Sequence, residues 1–241
     1  MRREIVGAAL AAMALNVEVA AAASICGDVN ESGGVTSSDA LQVLKAAVGQ
    51  PVELLCSPVG QLPKTGDITA YGPGSDGVVQ AGAAHVFTDN GDGTITDDAT
   101  GLMWEKKDDS GGIHDKDNTY RWSATGTNMD GSITSVFLAT LNGGAGFAEH
   151  TDWRIPNHLE LESLLDLGSN TIAAYPEFNS GCVAGCTVLT CSCTAASNYW
   201  TSTTYHASPI FAWYTALDYT ANSAGYFKTE PLYVRAVRNA P

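Results

Sequence analysis

The chain has 241 residues, six of them cysteine, and sets 26 acidic against 12 basic side chains for a formal charge of −14. Only 16% of its residues are charged and 25 are glycine, a composition that suits an exported, strand-rich domain with many turns. No Lys/Arg cluster follows the first few residues, so the charge excludes nucleic acid and anionic lipid as electrostatic partners.

The N-terminus reads MRRE, then the apolar run IVGAALAAMALNVEVA, then the small-residue stretch AAAS. This three-part layout predicts a cleaved secretory signal over residues 1–23. Asn16 and Glu18 interrupt the apolar run, which is too short for a membrane span. The expected product is secreted, periplasmic or held at the cell surface without membrane insertion. Its length of about 215 residues suits one good-sized domain plus a small one.

Residues 24–57 read as the small one. Asp28, Asn30 and Ser32 stand at positions 1, 3 and 5 of a twelve-residue loop, Gly33 at 6, Gly34 at 7, Thr36 at 9 and Asp39 at 12. That order supplies hard oxygens to a hard cation, with glycine for the sharp turn, a backbone carbonyl at 7 and a closing carboxylate, and it points to calcium. The bland alternative is an Asp/Ser/Gly turn without metal. A stretch with apolar residues at helical spacing (Leu41, Val43, Leu44, Ala47, Val48) follows and stops at Gly49-Gln50-Pro51.

The string DVNESGGVTSSDALQVLKAAVG resembles one repeat of a type I dockerin, whose family pairs two such repeats and docks onto cohesin domains. One repeat is present, with Asp39 where an EF-hand has Glu. Calcium binding needs only the loop, whereas cohesin docking lacks the second repeat. A Cys26–Cys56 bridge would close a loop of about 30 residues and contribute roughly 3 to 4 kcal/mol in the chain-entropy account.

Residues 58–76, rich in Pro and Gly, are expected to be linker, and 77–241 the large domain. LPKTG at Leu62 to Gly66 spells a sortase signal but lies far upstream of the last residue. DNGDGTITD at Asp89 to Asp97 imitates a second calcium loop. Its ligand positions fall out of register, however, and a β-hairpin with Asp-Gly turns fits better. Two helices are expected next. SITSVFLATLN precedes Gly143-Gly144, and PNHLELESLLDL opens with Asn157 and Glu160 as a capping box. Short aromatic strands follow in NYWTSTTYH, FAWYTALDY, AGYFK and LYVRAVRN, so the layout is α+β.

Cys182, Cys186, Cys191 and Cys193 crowd into one loop. Export favours two disulfides there, although four thiolates could also hold zinc. The spacing of Cys186 and Cys191 further resembles the copper-binding pair of formylglycine-generating oxidases, without their surrounding motifs.

FTDNGDGTITDDATGLMWEKK, DWRIPNHLELESLLD, NYWTSTTY, AWYTALDY and the closing YVRAVRN together resemble the Lcl C-terminal domain family over about residues 78–240. The resemblance implies a C-type-lectin-like fold, two helices with antiparallel strands, and an exported binding domain that in some members adheres to glycans or host surfaces. The Glu-Pro-Asn and Trp-Asn-Asp signatures of calcium-dependent sugar binding are missing. Endings of this kind also resemble variable proteins of diversity-generating retroelements.

In AWYTALDY, period-2 alternation separates Trp213, Thr215 and Leu217 from Tyr214, Ala216 and Asp218. The first set is expected in the core. The second, with Tyr219, Asn222, Tyr226 and Glu230, is expected on an exposed face that recognises a glycan or a surface protein. No hydrolase, metalloprotease, phosphate-loop or dinucleotide motif is present, so binding without catalysis is the expected activity.

A calcium-holding loop has a calorimetric signature. The full chain should give a binding heat for one Ca²⁺ that vanishes in Asp28→Ala/Asp39→Ala; an unchanged isotherm would remove the assignment.

Overall fold

The structure, a computed structural model, describes residues 62–241 and, apart from these, only Lys45, which is helical. The expected signal segment, the calcium loop with Asp28, Asn30, Ser32, Gly34, Thr36 and Asp39, and both Cys26 and Cys56 lie outside the described residues. The chain divides into two units, Met1–Val59 and Gly60–Pro241, and every described strand belongs to the second.

The Asp-Gly sequence at Asp89 to Asp97 folds as the expected hairpin. Strands β1 (Phe87–Asp89) and β2 (Thr94–Asp97) pair antiparallel. The turn uses the side chains that imitate calcium ligands, since Asp89 accepts from the Gly91 N–H at 2.9 Å and Asp92 from the Thr94 N–H at 3.0 Å. Strand β3 (Leu102–Glu105) pairs with β2, and the last strand, β9 (Val237–Asn239), returns to lie beside β3.

A second, five-stranded sheet holds β4 (Thr119–Arg121), β5 (Asn198–Thr204), β6 (Phe211–Ala216), β7 (Ser223–Phe227) and β8 (Pro231–Tyr233) in the order β4-β8-β5-β6-β7. Its pairings are antiparallel except for β5 with β8, which run parallel. The domain is mixed helix and sheet with strands dominant, as expected of an α+β chain.

The helices are short. Besides α1 (Asp76–Val79), a π-helical segment Ile133–Leu138 runs into α-helical Ala139–Leu141, together α2. Ile133, Phe137 and Leu141, four residues apart, are all buried on its inner side. Helix α3 (His158–Glu162) begins with the expected capping box between Asn157 and Glu160. It stops sooner than the sequence suggests. The Ser163 hydroxyl donates back to the Glu160 carbonyl at 2.7 Å, and the chain turns there so that Leu161 and Leu164 both reach the core.

Two apolar clusters fill the interior. One gathers Met103, Trp122, Ile133, Phe137, Trp153, Trp200 and Val234, the other Ile95, Trp104, Leu161, Leu164, Phe178, Tyr199 and Leu217. Residues 62–76, expected to be linker, are instead bound to the domain. The Lys64 carbonyl accepts from the Tyr175 hydroxyl at 2.9 Å, the Thr65 carbonyl from the Leu167 N–H at 2.7 Å, and Lys64 N–H donates to Ala83. LPKTG is thus part of a folded segment, its backbone groups satisfied within the domain. No helix among the described residues is long and apolar enough to cross a membrane.

The clustered cysteines form two disulfides, Cys182–Cys193 and Cys186–Cys191. Three of these sulfurs lie within metal-binding distance of one another, but a bridged cysteine has no thiolate to offer zinc or copper. With Cys26 and Cys56 changed to Ser, the protein from an oxidising compartment should show no titratable thiol and no stoichiometric zinc or copper; four free thiols would reverse the assignment.

Glu105, at the end of β3, is wholly buried. Lys107 Nζ donates to it at 2.9 Å, His114 Nδ1 lies at 2.8 Å, and the Ala236 N–H donates at 2.9 Å. Burial alone would raise its pKa, but the Lys107 charge and the His114 and Ala236 donors hold it below the ordinary 4.5. A carboxylate held low stabilises the fold above its unfolded-state pKa and loses that contribution as pH falls through the folded value. Glu105→Gln, which strands a buried ammonium, should cost about 3 to 5 kcal/mol in urea unfolding at neutral pH. Its stability should also depend less on pH in the acid range than that of the parent.

Candidate functional site: an aromatic groove on the C-terminal hairpin

Residues directly opposite each other in an antiparallel pair share a face. In the β6–β7 hairpin, Phe211 pairs with Phe227, Trp213 with Gly225 and Thr215 with Ser223, while Ala212 pairs with Tyr226 and Tyr214 with Ala224. In the second set the β6 residues face the interior, while Tyr226 stays exposed. Ala212 belongs to the first apolar cluster, Tyr214 packs against it, and Tyr226 stands edge-on to Tyr214 with ring centroids 6.3 Å apart.

In the first set Thr215 is buried, as expected, while Phe211, Trp213 and Phe227 carry an aromatic surface. Trp213, Phe211 and Tyr205, with Ser208, Ser223, Ala224 and Gly225, line a groove of about 360 Å³. Tyr205 lies 5.1 Å from the Trp213 ring and 6.5 Å from Phe211, and Phe211 lies 4.3 Å from Phe227. Gly225 makes this arrangement fit, because a Cβ there would stand 3.2 Å from the Tyr205 ring.

A polar relay connects the groove to α3. The Ser223 hydroxyl donates to Glu162 at 2.9 Å and lies 3.2 Å from the Thr215 hydroxyl. The same Glu162 oxygen is 3.3 Å from His158 Nε2, and the His158 ring stacks on Trp213 at 4.9 Å. Among the described residues, His158 Nδ1 is buried without a partner. The groove therefore joins flat apolar rings to hydroxyls and one half-exposed carboxylate, a combination suited to a ligand with both apolar faces and hydrogen-bonding edges.

The residues expected to form one exposed site are divided among three places. Tyr214 and Tyr226 meet on the other face, where Tyr226 is 40% exposed as expected and Tyr214 is half-buried against the first apolar cluster. Period 2 rightly separates Trp213 from Tyr214, yet it is Trp213 that faces outward. Asp218, Tyr219 and Asn222 lie in the turn between β6 and β7. There Asp218 accepts from the Thr220 N–H at 2.8 Å and its hydroxyl at 2.5 Å, while Tyr219 is 74% exposed. Glu230 is exposed in the turn after β7, where its N–H donates to the Phe227 carbonyl at 3.0 Å. The groove residues that sequence reasoning missed are Tyr205, Phe211, His158 and Glu162. Tyr205 and Phe211 had one visible signal, an aromatic ring at a strand end; His158 and Glu162, on α3, had none.

Asp109, Asp115 and Asp117 also converge within the range of a single cation. Lys116 already serves two of them, with Nζ 2.7 Å from Asp117 and 3.5 Å from Asp109, and backbone N–H groups of Gly111 and Asp117 donate to Asp115.

Fold and groove together define a strand-dominated α+β domain with a shallow aromatic groove. The model of the Lcl C-terminal domain family matches residues 93–238, more than half of the sequence, and the chain belongs to that family. No curated protein matches it.

Proposed function

We propose that this chain is an exported, non-catalytic binding protein that recognises a glycan through the groove between Tyr205, Phe211 and Trp213. A surface protein is the second class of ligand, because the same rings would hold an aromatic or aliphatic side chain. The observation that carries the reading is the grouping of partly exposed rings around Ser208, Ser223 and the Glu162 carboxylate. Pyranose rings present apolar C–H faces to aromatic planes while their hydroxyls exchange hydrogen bonds with such groups.

Family membership supports a C-type-lectin-like arrangement for residues 77–241 and an adhesive role. Residues 24–57 would add a calcium-binding, dockerin-like module. Cohesin docking lacks its second repeat, so calcium would act there by holding the module's own loop. The cofactor of this reading is calcium, away from the groove.

Full-length protein on a glycan and surface-protein array, with and without chelator, tests this. Trp213→Ala with Tyr205→Ala should remove the signal and leave the melting temperature within a few degrees of the parent, as partly exposed positions allow. Tyr214→Ala should instead lower the melting temperature, because that ring covers the core. Retained binding by the Trp213/Tyr205 variant would place recognition elsewhere.

A further inference from the structure

A second cavity lies between the segment 62–87 and Tyr175. It holds about 240 Å³ and is lined by Lys64, Asp67, Asp76, His85, Phe87, Tyr175 and Glu177 among others. That volume is below the roughly 300 to 1,000 Å³ of sites for drug-sized ligands, so it suits one small group.

Its walls are aromatic. His85 stacks on Phe87 at 4.9 Å, and Tyr175 lies 4.7 Å from His85 and 5.2 Å from Phe87. Its charges are mostly negative, three carboxylates against Lys64. Tyr175 responds to this field. Burial first, and then the charges of Asp166, Asp97 and Glu177, push its pKa up to about 12.

The wall also contains an unused acceptor. The His85 side chain is 3% exposed, and its Nδ1 lies 2.8 Å from Asp97, which is fully buried. Asp97 also accepts from the Thr100 hydroxyl at 2.7 Å and the Ala99 N–H at 3.0 Å. Burial opposes ionisation of Asp97, but these donors outweigh it and hold its pKa below the ordinary value. An ionised carboxylate only accepts, so the hydrogen of this bond sits on Nδ1, and in the neutral ring the lone pair is at Nε2. Among the described residues Nε2 has no partner, and a buried acceptor without one is costly.

We propose that this pocket binds an organic cation, an alkylammonium group of about lysine side-chain size. Its charge would lie over the His85, Phe87 and Tyr175 rings and against Asp76 and Glu177. The site is separate from the aromatic groove and does not depend on how that groove is read.

The test uses full-length protein carrying ¹³C-labelled histidine, titrated in an NMR tube with n-butylammonium, n-butanol or butyrate, the His85 signals being assigned by their loss in His85→Gln. Saturable movement of the His85 ring signals with n-butylammonium alone is expected. Asp76→Asn with Glu177→Gln, both exposed positions, should weaken that binding about tenfold or more without altering the melting temperature. Equal movement with n-butanol would reduce the pocket to an apolar cavity and overturn the proposal. So would the absence of saturable movement, or an affinity indifferent to the loss of the two carboxylates.

Discussion

A single buried carboxylate connects the parts of this domain that are farthest apart in sequence. Glu105 accepts from Lys107, pairs with His114 and accepts from the Ala236 N–H, and its backbone carbonyl accepts from Arg235 at 2.8 Å. Arg235 is itself fully buried and reaches on to the Cys193 carbonyl at 2.6 Å and the Thr194 hydroxyl at 2.9 Å. Sheet, acidic loop, disulfide loop and final strand thus meet at two residues. Burying such charges is expensive, and the expense is offset only when nearly every donor and acceptor is matched. The arrangement fixes geometry more than it adds net stability, because any shift of the cysteine loop or of the last strand would leave a charge unmatched in a low-dielectric interior.

The proposed recognition surface lies in a different part of the molecule. In the five-stranded sheet the β6–β7 hairpin lies at one edge, with β7 outermost and β8, which leads into Arg235, three strands away. At about 4.8 Å per strand this is some 14 Å. Residues on the outer face of the hairpin can therefore vary without disturbing the charge network. An exposed edge strand invites pairing with other chains. Here β7 is short, and Lys228, immediately after it, is drawn inward over Trp122, with Nζ 3.9 Å from the ring. The hairpin is tied down at both ends, by this lysine and by the Ser223–Glu162 bond to α3.

Local signals in the sequence are legible where one short rule governs. The Asp-Gly hairpin, the Asn157 to Glu160 capping box and the pairing of the clustered cysteines among themselves all come from turn chemistry, cap chemistry and proximity. The face of β6 is not legible. Alternation says that Trp213 and Tyr214 point apart, but not which side is covered. Here both sides are partly covered, one by the apolar cluster and the other by α3 and Tyr205. Large rings then occur on either side and cease to mark the core. Residues 62–76 mislead for a related reason. Their Pro and Gly content describes an irregular backbone, and an irregular backbone can still be bound to a domain through its carbonyls, as those of Lys64 and Thr65 are. The roles of Glu105 and Arg235 depend on contacts across about 130 residues, which no local pattern carries.

Both concave sites share one electrostatic feature. Carboxylates stand beside both, Glu162 bonded to Ser223 of the groove, and Asp67, Asp76 and Glu177 lining the second cavity together with Lys64. At physiological salt the Debye length is about 8 Å, so the overall charge of −14 contributes less at either site than these neighbouring carboxylates do. An anionic ligand would have to displace water from a carboxylate without gaining a counter-charge, whereas a neutral polyol or a cation would gain hydrogen bonds or charge pairing there. The acidic composition thus acts at short range as well, and it favours hydroxyl-rich and positively charged groups over anions as ligands of the two proposed sites.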